Sequence, residues 1–176
     1  MNIDRIDYIT LKALQADSNT LSKTKWNKII FFVDLAFYTS DNPLFKNNIY
    51  TGLDYIKMPY GPVVDNFNII ISNVAFRNNL QVKSYFGLYS NQSQYIEPTT
   101  SLVINKDYPK DEAMIINQVI KKTAKSTATQ LSEYSHKLTI WKIPSMYEKL
   151  NFEYSSYDRF KINDDFIGSF YEMIMK

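Results

Sequence analysis

The chain has 176 residues, of which 45% are hydrophobic, so it can form a domain with a buried core and is neither disordered nor a coiled coil. Twenty Lys and Arg side chains oppose 18 Asp and Glu side chains, and the net charge of +2 disfavours nucleic-acid binding. The chain has no cysteine, which excludes disulfides, thiolate nucleophiles and Cys-containing zinc sites.

The most apolar segment, residues 29–38, contains Asp34 and has about half the length of a membrane span. The first residues lack the basic and then apolar pattern of a signal peptide. We therefore expect a cytoplasmic protein with no membrane partner.

Apolar residues at helical spacing predict helices over 3–16 and about 24–38. The second helix is apolar on nearly all sides, which is typical of the buried centre of a domain. Asp34 is the exception on this helix. We expect its carboxylate to be satisfied at the rim of the core by a backbone donor or a Lys, because buried carboxylates are rare unless they are paired. The alternative is a polar anchor in a partner-binding groove.

Residues 55–67, YIKMPYGPVVDNF, read as a strand followed directly by a third helix. Gly61 permits an unusual backbone angle, and Pro62 suits the first position of a helix because it has no N–H to satisfy. This helix is expected to end near residues 77–79.

A β-hairpin is predicted from strands over 80–90 and 94–98. Tyr85 and Tyr89 lie on the face of the first strand opposite Val82 and Phe86, and Tyr95 lies on the second strand. If the apolar face is inside, the tyrosines are exposed and form a candidate protein-binding surface. The alternatives are that another layer covers them or that they are ordinary surface residues.

Two further helices are predicted, one after Pro109 and one over 126–138 with a capping box of Thr127 and Gln130. A short strand within 148–157 and a last helix capped by Asn163 complete the prediction. The fold class is α+β: a mainly helical single domain with a small antiparallel β-hairpin or sheet.

Catalysis has little support in the sequence. His136 is the single histidine, and the chain has no G-x-S-x-G elbow and no Gly-rich phosphate loop. Acidic pairs at 111–112 and 164–165 are better explained as helix N-terminal residues than as metal ligands. We expect no enzyme activity, no metal and no cofactor. His136 and Trp141 are expected to form a structural pair in which the imidazole bonds a backbone carbonyl; pH sensing, partner contact or catalysis by His136 are the alternatives.

Three motifs, in this order, resemble the Panacea domain, also called the SocA-like or phage GepA-like domain. They are KWNKIIFF at 25–32, YIKMPYGPV at 55–63, and TATQLSEYSH at 127–136 followed by Trp141. The family has a K-x-x-K-L-L-Y-F-like helix, a Y-G-P-V turn and an L-S-x-x-S-H-x-x-x-x-W segment. The resemblance covers residues 21–141, and we interpret 1–176 as one such domain with 145–176 as a C-terminal extension packed on it.

The resemblance implies an antitoxin that neutralises a cognate toxin by direct protein contact. SocA itself delivers its toxin to a ClpXP-type protease, and several relatives are carried by prophages. A proteolytic adaptor and a phage-encoded inhibitor of a host defence complex therefore stay open. The family motifs map onto Lys25, Tyr60, Gly61, Pro62, Val63, Leu131, Ser135, His136 and Trp141. These are expected to build turn, cap and core, which leaves partner choice to surfaces such as 85–95 and the C-terminal segment.

Overall fold

The computed structural model describes residues 1–86, 92–104, 108–158 and 170. The fold is α+β and mainly helical, as the sequence predicts. Its elements in chain order are α1 (Ile3–Ala16), β1 (Leu21–Ser22), α2 (Lys23–Thr39), β2 (Tyr55–Met58), β3 (Gly61–Val64), α3 (Phe67–Arg77), β4 (Leu80–Phe86), β5 (Gln92–Pro98), α4 (Lys110–Ala124), α5 (Ala128–Lys137), α6 (Thr139–Lys142) and a 3₁₀ helix (Phe152–Tyr157). Tyr89 and, apart from Phe170, the predicted last helix lie outside the described residues.

The helix α2 forms the centre of the molecule. Every residue from Lys25 to Phe37 is buried, because α1, α4, α5 and the strand β3 all pack against it. Trp26 packs edge-on against Phe67 and donates its indole N–H to the Thr10 hydroxyl at 2.9 Å. The prediction of a helix that is buried on all sides is therefore confirmed. In the described part of the chain, no helix combines the length and the hydropathy required to cross a membrane.

The larger sheet has the strand order β1–β5–β4, with antiparallel neighbours. Its main component is the predicted hairpin, in which Lys83 lies opposite Tyr95 and Val82 opposite Ile96. Ile96 is fully buried, whereas Val82 is 39% exposed and Phe86 is 76% exposed. The expectation that the apolar face of this hairpin lies inside therefore holds only near its base.

The prediction that residues 55–67 pass directly from a strand into a helix is wrong. A second hairpin lies between, because Gly61–Val64 forms the strand β3 and pairs with β2. Pro62 is opposite Lys57 in this hairpin and is not the first residue of a helix. The helix α3 begins only at Phe67, after Asn66 in the left-handed conformation (φ 56°). The predicted end of α3 is confirmed, with Asn78 at its C-cap.

The described residues between Lys110 and Tyr157 are mainly helical. The predicted capping box at the start of α5 is present, since the Thr127 hydroxyl accepts from the Gln130 N–H and the Gln130 side chain accepts from the Thr127 N–H. The short strand predicted within 148–157 is wrong: Lys149 makes a single bridge to Ile56, and residues 152–157 form a 3₁₀ helix. Phe170 is buried against Phe32, with ring centroids 5.3 Å apart.

Candidate functional site: a buried motif junction and an exposed tyrosine face

The three sequence motifs meet at one buried junction around Gly61. Lys28 of α2 is fully buried, and its ammonium group donates a hydrogen bond to the Pro62 carbonyl at 2.8 Å. A Cβ atom placed on Gly61 would lie 2.5 Å from the Ser135 Oγ and 2.8 Å from the Lys28 Cε. Gly61 also has a φ of +90°, which side chains rarely adopt. Glycine is thus required here both by the backbone angle and by the close approach of α2 and α5.

Ser135 and Leu131 belong to the side of α5 that faces this junction. Both are fully buried, and the Ser135 hydroxyl donates to the Ser132 carbonyl within the same helix at 2.7 Å. This bond orients the Ser135 Oγ toward a main-chain acceptor of its own helix. Ser135 therefore has a structural role in this arrangement, as a buried residue that packs α5 against the junction.

His136 and Trp141 stack on each other at the end of α5. Their ring centroids are 3.9 Å apart and the rings are inclined by 24°, so the expected pairing is present. Neither the His136 Nε2 nor the Trp141 Nε1 has a hydrogen-bond partner among the described residues, although both atoms are buried. The expected bond to a backbone carbonyl is therefore not made by Nε2. Two polar ring atoms are left unsatisfied next to the junction.

Positive charge surrounds the stacked rings. The Lys57 ammonium lies 4.3 Å from the Trp141 ring centroid and donates to the Pro144 carbonyl at 2.8 Å. Burial lowers the pKa of His136, and the charges of Lys28 and Lys57 lower it further, whereas Glu133 opposes them. Burial also lowers the pKa of Lys28 to about 7. Burial at the junction thus destabilises the charged forms of these two basic groups.

Asp34 lies in the core and not at its rim. It is fully buried and accepts hydrogen bonds from the Thr51 N–H at 2.8 Å, the Thr51 hydroxyl at 2.5 Å and the Tyr55 hydroxyl at 2.5 Å. Burial raises its pKa to about 6, and these bonds act in the opposite direction. Of the two expected kinds of partner, a backbone donor or a lysine, the backbone donor is present, and two hydroxyl groups add to it. Asp34 connects α2 to the chain that leads into β2.

The remaining motif residues lie around the junction. Lys25 is buried and bonds the Asp17 carboxylate at 2.8 Å and the Ala124 carbonyl at 3.2 Å, so it connects α2 to the ends of α1 and α4. Val63 is half-buried in β3. Tyr60 is 77% exposed in the turn between β2 and β3. Of all the motif positions, Tyr60 is the one most accessible to a partner.

Two tyrosines of the β4–β5 hairpin belong to a separate surface cluster, which we call the tyrosine face: Tyr85, Tyr95, Lys83 and Glu97. Tyr85 and Lys83 are exposed, whereas Tyr95 and Glu97 are half-buried. Tyr85 is 46% exposed and packs edge-on against Tyr95, with ring centroids 5.4 Å apart. Its hydroxyl donates to Glu97 at 2.8 Å, and Lys83 pairs with the same carboxylate at 3.1 Å. These bonds raise the pKa of Tyr85 and lower the pKa of Glu97. The cluster holds two aromatic rings in a fixed arrangement at the surface.

An open groove of about 580 Å³ borders the tyrosine face at Tyr95. Lys23 and Asn68 form part of its wall, and their side chains are joined by a 3.2 Å hydrogen bond. A second groove of about 370 Å³ shares Lys23 and Asn68 in its wall and is also lined by Met58 and Ile69. The two grooves are therefore neighbours, and the first of them reaches the tyrosine face.

Sequence reasoning missed two residues of the junction, Lys28 and Lys57. Lys28 carries a usable signal, because it is the second lysine of the K-x-x-K motif and lies within a helix predicted to be buried. Lys57 has no comparable signal, since its burial depends on Trp141 and Pro144, which are remote in sequence. Within the described ranges, no group of three or more His, Asp or Glu side chains is placed to hold a metal ion.

Comparison with family models matches residues 26–142 to the antitoxin SocA-like, Panacea domain, which is well over half of the chain. The chain therefore belongs to the SocA-like Panacea family of antitoxin domains. Apart from Lys25, the three motifs that form the junction lie within the matched region. Comparison with curated proteins and with solved structures finds no match.

Proposed function

We propose that this protein is an antitoxin that neutralises a cognate toxin by direct protein contact and without catalysis. Membership of the SocA-like Panacea family is the observation that carries the proposal. The structure is consistent with it, because the family motifs pack into a buried junction and leave the tyrosine face exposed. A binding protein of this kind needs a rigid scaffold and a surface that differs between relatives.

The tyrosine face is the proposed toxin-binding surface. Tyrosine buries a large area for few rotatable bonds, so it is frequent at the energetic centre of protein interfaces. The Glu97 carboxylate already holds the Tyr85 hydroxyl and the Lys83 ammonium in place, so little conformational entropy is lost when a partner binds. The neighbouring grooves offer depressions for side chains of the toxin.

The function is tested by purifying the tagged protein from its native cells and identifying stoichiometric partners by mass spectrometry. We expect a partner that stops growth when it is expressed alone and is harmless when it is co-expressed with this protein. The amount of that partner then separates two mechanisms. Occlusion leaves its level unchanged, whereas delivery to a protease lowers it. A host defence complex as the partner, with no toxic protein, would contradict the antitoxin function.

A further inference from the structure

We propose that the open edge of β4 pairs two copies of this chain into a symmetric dimer, with the two β4 strands antiparallel and Ser84 on the two-fold axis. This proposal does not depend on the proposed function, because it concerns the outward backbone groups of β4 and not the binding of a toxin. It rests on the hydrogen-bond pattern of the β4–β5 hairpin and on the order of side chains along β4.

The edge of β4 is identified by two observations. The Thr99 N–H donates to the Asn79 carbonyl at 2.9 Å, and Leu80 lies opposite Pro98, which has no N–H to donate. Hydrogen-bonded and non-hydrogen-bonded pairs alternate in an antiparallel ladder. The backbone groups of Gln81, Lys83 and Tyr85 are therefore directed at β5, and those of the alternate residues are directed away from it.

The alternate residues are Val82, Ser84 and Phe86. Their N–H and C=O groups point to the outer side of β4, which is the last strand of its sheet. All three residues are exposed, and within the described ranges their outward backbone groups make no hydrogen bond. A row of such groups along an extended strand is complementary to another extended strand.

The sequence of β4 makes it complementary to itself. If Ser84 lies opposite the partner's Ser84, then Val82 lies opposite the partner's Phe86, and Lys83 lies opposite the partner's Tyr85. This register brings all three outward residues into hydrogen-bonded pairs. It places apolar side chains against apolar ones and a cation beside an aromatic ring, and such cross-strand pairs stabilise sheets. A shift that sets Val82 opposite the partner's Ser84 would instead place Lys83 against the partner's Lys83.

A lysine on an edge strand commonly prevents association of this kind. Here the charge of Lys83 is already paired with Glu97 at 3.1 Å, so it does not repel an approaching strand. The dimer would join the two three-stranded sheets into one continuous sheet. The tyrosine faces of the two copies would then lie side by side on the same surface or on adjacent twisted surfaces of that sheet.

Sedimentation velocity of the purified full chain over a wide range of concentrations tests the proposal. We expect the weight-average mass to rise toward twice that of the monomer. Ser84→Pro removes an N–H that β5 does not use, so the hairpin is kept while dimerisation is lost. Ser84→Thr, which retains this N–H, is the matched control and should dimerise like the wild type. Circular dichroism checks that the proline variant is folded.

The register is tested separately by a charge exchange. Changing both Val82→Lys and Phe86→Lys puts like charges opposite each other twice, so we expect dimerisation to weaken at least about tenfold. Changing Val82→Lys together with Phe86→Glu pairs opposite charges in the same places and should restore it. A wild type that stays monomeric at every concentration would overturn the proposal. A dimer that is unaffected by Ser84→Pro and by the double lysine variant would overturn it as well.

Discussion

The ammonium group of Lys28 lies 2.8 Å from the carbonyl oxygen of Pro62. This bond connects the central helix α2 to the beginning of the strand β3. The two residues belong to different family motifs and are 34 positions apart in the sequence. Their contact explains why the turn between β2 and β3 needs its glycine, because the lysine side chain and Ser135 fill the space beside Gly61.

Replacement of Gly61 by alanine should destabilise the protein. The added Cβ would meet the Ser135 Oγ at 2.5 Å, and the φ of +90° is unfavourable for any side chain. We expect a loss of about 2 kcal/mol or more in the free energy of unfolding, measured by urea denaturation. Valine at this position should destabilise the protein further. Adding Ser135→Ala to Gly61→Ala removes one of the two clashes and should recover part of the loss; no recovery would show that the clash with Ser135 is unimportant.

Lys28 should make the stability rise with pH on the alkaline side. Burial lowers its pKa to about 7 in the folded protein, whereas the unfolded chain has the ordinary value of 10.5. Between these values the unfolded chain binds a proton that the folded protein lacks, so folding is favoured as pH increases, by about 1.4 kcal/mol per pH unit. Lys28→Met removes this contribution while conserving the volume of the side chain.

The measurement for Lys28 is the difference between the unfolding free energies of the wild type and Lys28→Met at pH 7.5 and pH 9. Other lysines and the tyrosines titrate in both proteins and cancel in this difference. We expect the wild type to gain stability relative to the variant as pH increases. An equal dependence on pH in the two proteins would show that Lys28 is not desolvated in the fold.

Asp34 should make the stability of the protein fall as pH rises through the acidic range. Its pKa is raised to about 6 in the folded protein, from 3.8 in the unfolded chain. The folded protein therefore holds a proton that the unfolded chain has released between these values. The contribution of Asp34 to the free energy of unfolding is therefore greatest below about pH 4. It decreases as pH rises to about 6, by up to about 3 kcal/mol.

Asp34→Asn has no proton to exchange, so its stability relative to the wild type should increase from pH 4 to pH 6.5. Thermal unfolding at several pH values measures this. Asp34→Ala is the informative control, because it leaves the Tyr55 hydroxyl and the Thr51 N–H without their acceptor. We expect it to destabilise the protein by about 2 kcal/mol or more at every pH. A neutral effect of alanine would contradict the assigned hydrogen bonds.

Tyr85→Ala and Tyr95→Ala should each weaken toxin binding without unfolding the domain, because both rings lie in the tyrosine face and outside the core. Loss of a central interface tyrosine commonly reduces affinity by about 2 kcal/mol, or about thirtyfold. Tyr60→Ala is the matched control, since Tyr60 is 77% exposed in the other hairpin. Isothermal titration calorimetry with the purified toxin measures all three. If Tyr85→Ala and Tyr95→Ala bind the toxin with the same affinity as the wild type, the tyrosine face is excluded as the binding site.

Elements with a strong local signal could be predicted from the sequence. The predicted bounds of α1 agree with the structure because its apolar period is regular. The structure adds an N-cap at Asn2, whose side chain accepts from the Arg5 N–H. The capping box of α5 and the hairpin of β4 and β5 likewise depend on residues close together in the chain. In each case the information needed lies within about twenty residues.

The strand β3 could not be predicted in this way. Gly61 and Pro62 are typical of a helix start, and the loop of Pro59 and Tyr60 carries none of the usual signals of a two-residue hairpin turn. What selects the strand is the pairing of residues 61–64 with 55–58, together with the contact of Pro62 with Lys28. The packing of α5 and α6 around Lys57 is equally non-local, so the junction became visible only in three dimensions.

The stacking of Trp141 on His136 gives the protein an internal optical reporter. A protonated imidazole in contact with an indole quenches its fluorescence, whereas a neutral imidazole does so far less. The chain has two tryptophans, and the other, Trp26, is fully buried with its indole N–H bonded to Thr10, so its emission provides a steady background. Tryptophan emission, followed during an acid titration, would therefore record the protonation of His136 directly. A partner that binds at the end of α5 would also change the fluorescence of Trp141, so its binding could be followed without a label on the chain.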